Sequence, residues 1–120
     1  MNKRKLGFDK EELAAAYLEQ RGLVVLKRNF SCRQGEIDII AHHGEYLVFA
    51  EVKYRSGNAM GNALEAVDYR KQSRICRVAD YYRFLHKIGN QRMIRYDVVA
   101  IQGDKIQWIQ NAFPHIYVGG

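Results

Sequence analysis

The stretch that decides the fold runs from Gly35 to Arg55 and reads GEIDIIAHHGEYLVFAEVKYR. It alternates or runs apolar on both sides of a short polar break, which is typical of two strands in a hairpin. The strands are predicted over about 34–42 and 45–55, with the turn at His43 and Gly44. A hairpin here would form the centre of a sheet.

The second of these strands carries two ionisable side chains on one face. Because strand side chains alternate, Glu51 and Lys53 point to the same side as Phe49. The turn is expected to pair Asp38 with Phe49. In that register Glu36 pairs with Glu51, and Asp38 lies diagonally beside Glu51 within reach of a shared cation. A half-buried strand face should not carry such charges without a reason, since burying either one unpaired is expensive.

This arrangement suits a divalent cation and a phosphate. Mg²⁺ prefers oxygen ligands and is held by one or two carboxylates plus substrate phosphate, so Asp38, Glu51 and the Val52 carbonyl could bind it. Lys53 would then lower the pKa of an attacking water or contact the phosphate. The alternative is a surface aspartate with an exposed Glu–Lys pair at a strand end, and the spacing alone does not decide between them.

The pattern of Asp38 followed by Glu51-Val52-Lys53 resembles the D…(D/E)xK signature of the restriction-endonuclease-like nucleases. A wider set of blocks in the same order is Glu11, Arg28-Asn29-Phe30, Gly35-Glu36-Ile37-Asp38, Phe49 to Arg55, Gly61, Glu65-Ala66-Val67, Lys71, Arg95 to Val99 and Asn111-Ala112-Phe113. From about Leu6 to Phe113 the chain closely resembles the YraN-like family of small bacterial proteins. That resemblance implies a Holliday-junction-resolvase-like fold and metal-dependent hydrolysis of DNA, including branched or damaged DNA, with Mg²⁺ or Mn²⁺ as cofactor.

The resemblance also assigns roles to particular residues. It implies that Asp38 and Glu51 hold the metal, that Lys53 is catalytic, and that Glu11 in an N-terminal helix adds a third acidic group. The alternative for Glu11 is a first-turn glutamate favoured by the helix dipole. Lys10 stands where the family usually has glycine, and a cation there could tilt or pair the neighbouring carboxylate.

Lys71 is the odd residue of a predicted long helix. It falls between Val67 and Ile75 in an apolar stripe at helical spacing. An inward lysine there would contact phosphate or balance the acidic residues. The alternative is a stem packed on the core with its ammonium group in solvent.

Further basic residues could track a nucleic-acid backbone. Arg70, Arg74 and Arg77 recur at helical spacing, and with Lys53 and Arg55 they would form a phosphate-binding surface. The alternative is a solvated helix face without a partner.

Two more acidic residues have predicted partners. Glu36 either shares the site face with Asp38 or, as we prefer, pairs with Arg55 or Lys53. Asp97 is expected to pair with Arg95 on the same strand face.

The rest of the chain completes an α/β pattern. A first helix is predicted from an N-cap at Asp9, with Glu12 as its capping-box partner, to a stop at Gly22. The other elements are a strand over 23–29, a helix from 62 or 63 to 87, and strands over 94–101 and 106–109. The order α-β-β-β-α-β-β predicts a mixed sheet flanked by helices. The resemblance selects its restriction-endonuclease-like version.

Composition limits the remaining choices. The 120 residues suit one domain, with a core over about 6–113, a basic N-terminal segment and a short tail. The net charge of +6 suits a polyanionic partner. The apolar runs are too short for a membrane span and no signal peptide is recognisable. Cys32 and Cys76 have no metal-binding spacing, and a reducing cytoplasm is expected.

Three functions follow as hypotheses. The first is a Mg²⁺-dependent deoxyribonuclease. The second is a nucleic-acid-binding module that keeps the fold with little or no catalysis. The third is an interaction protein, such as a homodimer formed through the long helix or the edge strand, for which an exposed Trp108 would be the sign.

Overall fold

The computed structural model describes residues 3–55 and 67–117, with side chains from residue 10 onward. Its elements are α1 (Lys3–Gln20), β1 (Val24–Cys32), β2 (Gly35–His43), β3 (Tyr46–Arg55), α2 (Tyr69–Leu85), β4 (Ile94–Gln102) and β5 (Lys105–Phe113). This order confirms the predicted α-β-β-β-α-β-β arrangement. In the part of the chain described, neither helix combines the length and the apolar character that crossing a bilayer requires.

The five strands form one mixed sheet in the order β1-β2-β3-β4-β5. All neighbours are antiparallel except β3 and β4, which run parallel. Parallel strands need a crossover connection, and α2 lies in the segment that joins them. The C-terminal halves of β3 and β4 therefore lie at the same end of the sheet.

The two helices cover the two faces of the sheet. On β3, Leu47 and Phe49 belong to the buried cluster that includes α2, whereas Val48 and Ala50 belong to the cluster that includes α1. This alternation is what period-two strand geometry requires. Glu51 continues the face that α2 covers.

The central hairpin has a register different from the predicted one. Ile39 pairs with Ala50 and Ile40 with Phe49, so the predicted pairs of Asp38 with Phe49 and Glu36 with Glu51 are wrong by two residues. The turn is formed by Gly44 and Glu45, one residue later than predicted. Gly44 has φ +61°, which glycine adopts without a steric cost. A shift by two residues preserves the alternation of faces in the paired part of the hairpin. Beyond it, Ile37 packs in the cluster that includes α2 although Ile39 packs in the cluster that includes α1, so the alternation along β2 breaks around Asp38.

The first helix begins earlier than predicted. It starts at Lys3, so Asp9 lies inside the helix and is not its N-cap. The preceding residues include good helix formers such as Lys5 and Leu6, and these extend the helix past the apparent capping signal. Glu12 does not complete a capping box. Its carboxylate accepts a hydrogen bond from the Arg28 guanidinium at 2.6 Å.

The second helix is shorter than predicted. Its N-cap is Asp68, whose carboxylate accepts the backbone N–H of Lys71 at 2.9 Å, and its last residue is Leu85. The predicted start at residue 62 or 63 lies outside the described residues. Val67 and Asp68 are not helical, so one helix running unbroken to residue 87 is wrong. The aspartate gives the backbone a local hydrogen bond that favours a helix start.

Both edge strands are longer than predicted. β1 continues past Asn29 to Cys32, and β5 continues past Ile109 to Phe113. Asn29 and Asn111 have φ of +54° and +53°, a conformation that asparagine tolerates better than most residues. The two asparagines therefore allow the strands to continue through these positions.

Candidate metal and phosphate site

The site lies where β2 separates from β3. The residue pairs between these strands run from the turn only as far as Ile39 and Ala50. At the next position the Asp38 carboxylate accepts the backbone N–H of Val52 at 2.8 Å. The Asp38 side chain thus accepts a hydrogen bond that a backbone carbonyl of β2 would accept in a regular sheet. This bond fixes the Asp38 carboxylate at the point where the two strands separate.

Three carboxylates meet at this point. One oxygen each from Glu11, Glu36 and Asp38 lie within 4.8 Å of one another, and we call these residues the acidic group. Glu11 comes from α1 and the other two from β2, where their spacing of two residues favours a shared face. Glu36 also accepts a hydrogen bond from the Ser31 hydroxyl at 3.3 Å.

The acidic group decides the open interpretation of Glu36. Glu36 lies with Asp38, so our preference for a pair with Arg55 or Lys53 is wrong. The preference undervalued the two-residue spacing, which was the available signal. Lys10 stands next to Glu11, at the position where the family usually has glycine. Its ammonium group lies 4.8 Å from the centre of the Tyr54 ring.

The Asp38 carboxyl is poorly suited to carry a charge without a cation. Burial, the charge of Glu51 and then the charges of Glu11 and Glu36 raise the pKa of Asp38 to about 8, against the hydrogen bond from Val52, which lowers it. Desolvation and like charges both disfavour the ionised form. A cation bound at the acidic group would favour the ionised form of Asp38 and lower its pKa.

Glu51 is buried and ion-paired. The exposed fraction of the residue is 7%. Its Oε1 atom lies 2.8 Å from the Lys71 ammonium nitrogen and 3.5 Å from that of Lys53. The inward interpretation of Lys71 is therefore confirmed. A buried carboxylate needs such partners, since an uncompensated charge there is strongly unfavourable.

The two lysines differ in how firmly they hold a proton. Burial and the hydrogen bond from Lys71 lower the pKa of Lys53. The pKa of Lys71 is raised, because the hydrogen bonds with Glu51 and Lys53 outweigh the lowering effect of burial. Lys53 is therefore the amine that exchanges a proton more readily.

The predicted site residues thus fall into two adjoining sets. Glu11 and Asp38 join the acidic group, whereas Glu51 lies with Lys53 and Lys71. The two sets interact through the charge of Glu51, which is the second-largest influence on Asp38. The contact that the structure gives Val52 is its N–H to Asp38, and a metal bound by its carbonyl stays a prediction.

The predicted phosphate-binding arginines lie beside this site. Arg70, Arg74 and Arg77 are exposed on α2, and Arg55 is half-buried at the end of β3. The three helix arginines line an open groove of about 420 Å³ together with Gln34, Tyr69 and Ser73.

A second buried charge network lies on the face of the sheet that α1 covers. Asp97 accepts two hydrogen bonds from Arg95, each 2.9 Å, which confirms the predicted pair. Asp97 also accepts the Trp108 indole N–H and the Asn111 backbone N–H at 2.9 Å, contacts the sequence pattern did not indicate. Trp108 is half-buried, and its indole binds Asp97 of the same chain. The interaction hypothesis predicted an exposed Trp108, and that prediction is wrong.

The fold and the site together define a single-domain α/β protein with an acidic group and two lysines where two central strands separate. Residues 10–101 match the model of a family described as Uncharacterised protein family UPF0102, and the chain belongs to that family. This supports the family resemblance seen in the sequence.

Several relatives resemble the chain over most of its length. A UPF0102 protein from Lachnoclostridium phytofermentans is 44% identical over 113 residues, covering 94% of this chain and 96% of the relative. One from Shewanella loihica is 47% identical over 107 residues, covering 89% and 92%. One from Legionella pneumophila is 41% identical over 105 residues, covering 86% and 89%.

Proposed function

We propose that the protein is a metal-dependent nuclease that hydrolyses phosphodiester bonds in DNA. The observation that carries the proposal is the acidic group of Glu11, Glu36 and Asp38, with its oxygens within 4.8 Å, next to a buried carboxylate that holds two lysines. Carboxylates that can hold a cation, next to amines that can contact a phosphate, suit metal-assisted hydrolysis of a phosphodiester.

The donor set fits Mg²⁺ or Mn²⁺. Among the described residues the acidic group offers only carboxylate oxygens, which hard divalent cations prefer over nitrogen or sulfur. Glu11, Glu36 and Asp38 would hold the ion, with Glu51 as the neighbouring carboxylate. When bound, the ion would stabilise the negative charge that develops on the phosphate.

The lysines would act on the substrate. Lys71 keeps its proton and can contact a phosphate oxygen through an N–H, whereas the lowered pKa of Lys53 suits it to transfer a proton to or from a water molecule. Glu51 is a positioning residue in this scheme, because its carboxylate orients both amines.

Cleavage assays on single-stranded, nicked, branched and duplex DNA test the proposal. We expect cleavage with Mg²⁺ or Mn²⁺ by the wild type and by Glu19→Gln, a control at an exposed glutamate of α1. Asp38→Asn and Lys53→Met should each abolish it while remaining folded by circular dichroism. A folded wild type that cleaves none of these substrates with either metal would overturn the proposal.

A nucleic-acid-binding module is the second candidate. It is favoured by the arginine groove, whose lining among the described residues includes no member of the acidic group. It predicts salt-dependent DNA binding in EDTA that Asp38→Asn leaves unchanged, with no cleavage under any condition. Loss of DNA binding on removing the metal would count against it.

A further inference from the structure

The exposed side of α2 carries arginines and aromatic rings in one line. Steps of four, three, four and three residues place Arg70, Arg74, Arg77, Tyr81 and Phe84 on one side of the helix, and we call this line the arginine–aromatic stripe. Tyr81 is 39% exposed and Phe84 is 77% exposed. The basic half lies at the helix start and the aromatic half near its end.

A continuous groove follows this stripe. The cleft that contains the three arginines adjoins a second cleft of about 410 Å³, and both are lined by Gln34 and Arg77. Gln34, in the turn between β1 and β2, forms the opposite wall, and Tyr81 lies in the second cleft. The groove thus passes from arginines to an aromatic ring without leaving the surface of α2.

The first residue of β2, Gly35, packs against the side chain of Arg74. A Cβ atom at Gly35 would lie 3.1 Å from both Cγ and Cδ of Arg74, so the aliphatic stem of this arginine packs against the glycine backbone. A long side chain supported in this way loses less freedom when its guanidinium binds a ligand. The absence of a side chain at Gly35 therefore helps to present Arg74.

The charge of the groove is positive. Among residues 10–55 and 67–117, no carboxylate lies within ion-pair distance of Arg70, Arg74 or Arg77. Asp80 lines the second cleft, but its carboxylate lies 3.4 Å from His115 and 3.9 Å from Arg83. Three guanidinium groups that pair with no carboxylate of the described residues complement a chain of phosphates.

We propose that this groove, together with the exposed Phe84 ring that continues the stripe beyond it, binds an unpaired strand of nucleic acid, with phosphates on the arginines and bases stacked on Tyr81 and Phe84. In a duplex the base faces are occupied by neighbouring base pairs, whereas an unpaired strand can stack its bases on protein rings. The stripe extends over 14 residue steps from Arg70 to Phe84, about 21 Å at the helical rise, which is room for several nucleotides.

The inference extends to the substrate of the proposed catalytic site, and in this respect it rests on the proposed function. Arg70, at the start of the stripe, is adjacent to Lys71, whose ammonium group contacts Glu51. A strand in the groove would therefore enter the site at the N-terminal end of α2. The substrate class is DNA with an unpaired segment flanking the bond to be cleaved.

Fluorescence anisotropy in EDTA tests the groove without catalysis. We expect the wild type to bind a labelled single strand more tightly than a duplex of equal length. Tyr81→Leu and Phe84→Ala should each weaken single-strand binding about tenfold and leave duplex binding unchanged. Arg74→Gln should weaken both. The matched controls Tyr46→Leu and Lys27→Gln, at exposed residues of β3 and β1, should change neither.

The outcomes separate this inference from the proposed function. The groove proposal would be overturned if the protein bound single strand, duplex and heparin equally. It would also be overturned if both aromatic variants kept full affinity for the single strand. Either result would stand even if the protein cleaves DNA. Single-strand binding that depends on Tyr81 in a protein without nuclease activity would uphold the groove and reject the nuclease. Because Phe84 is largely exposed, its replacement keeps the test valid if Tyr81→Leu misfolds.

Discussion

The ammonium nitrogen of Lys71 in α2 lies 2.8 Å from the Glu51 carboxylate in β3. The same lysine donates its backbone N–H to the Asp68 cap at 2.9 Å, so one residue joins the helix start to the sheet. The first turn of α2 is therefore held both by its cap and by the site. Replacing Lys71 should therefore change both the free energy of unfolding and the proposed catalytic activity.

Replacing Lys71 with Met should lower the free energy of unfolding by about 1 kcal/mol. The loss is modest because the Lys71 side chain is 35% exposed and Glu51 keeps Lys53 as a partner. Urea unfolding of the single variants and of Lys71→Met with Glu51→Gln would give the coupling energy. Additive effects of the two changes would contradict an energetic contact.

The stability of the metal-free protein should fall as the pH rises from about 4 to 8. The folded-state pKa of Asp38, about 8, is above the ordinary value of 3.8, so the folded protein binds more protons than the unfolded chain in this window. Unfolding then becomes easier as the pH increases. The contribution should reach roughly 2–4 kcal/mol, less than the full shift because the carboxylate is only partly buried.

Asp38→Asn should remove this pH dependence and stabilise the metal-free protein at pH 8. The amide oxygen can still accept the Val52 N–H, so the local backbone should be preserved. Thermal unfolding of both proteins from pH 4 to 8 measures the difference. Parallel stability curves would show that Asp38 ionises normally in the folded state.

The order of elements was predictable because it depends on hydrophobic periodicity, which each segment carries within itself. The hairpin strands and the Arg95–Asp97 pair follow from spacing. For Lys71, spacing gave its place in the apolar stripe but left open whether the ammonium group points inward, which the contact with Glu51 decides. The register of the hairpin did not follow from spacing, because the turn lies at Gly44 and Glu45, one residue later than predicted, and this displacement moves every pair by two residues. At Asp38, β2 also leaves its neighbour, and a side chain takes over a backbone bond. Such a substitution leaves no periodic signal.

The composition of the acidic group shows the same limit. Glu11 and Asp38 are far apart along the chain, and their approach depends on how α1 packs across the sheet. The family resemblance suggested Glu11, but the residue pattern by itself also allowed a solvated helix start. Glu36 was visible as a neighbour of Asp38, yet its preferred partner was chosen on charge rather than on alternation.

Asp97→Ala should destabilise the protein by about 3–5 kcal/mol. The side chain is buried and accepts four hydrogen bonds, and its removal leaves the buried Arg95 guanidinium without its carboxylate. The Trp108 indole would lose its acceptor, so its emission should change. Asp104→Ala, at an exposed turn, is the control and should stay within about 0.5 kcal/mol of the wild type. Equal stabilities of the two variants would contradict the network.

Binding of Mg²⁺ or Mn²⁺ should release protons from Asp38. At pH 7 this carboxyl, with a pKa of about 8, is mostly protonated, and it must ionise to hold a cation. Calorimetric titrations in buffers of different ionisation enthalpy should therefore report release of nearly one proton per ion, falling toward zero above pH 9. Asp38→Asn should abolish binding and Glu11→Gln should weaken it about tenfold, whereas Glu19→Gln should leave it intact. A cation that binds Asp38→Asn as tightly as the wild type would occupy a different place, and the acidic group would then have no part in holding it.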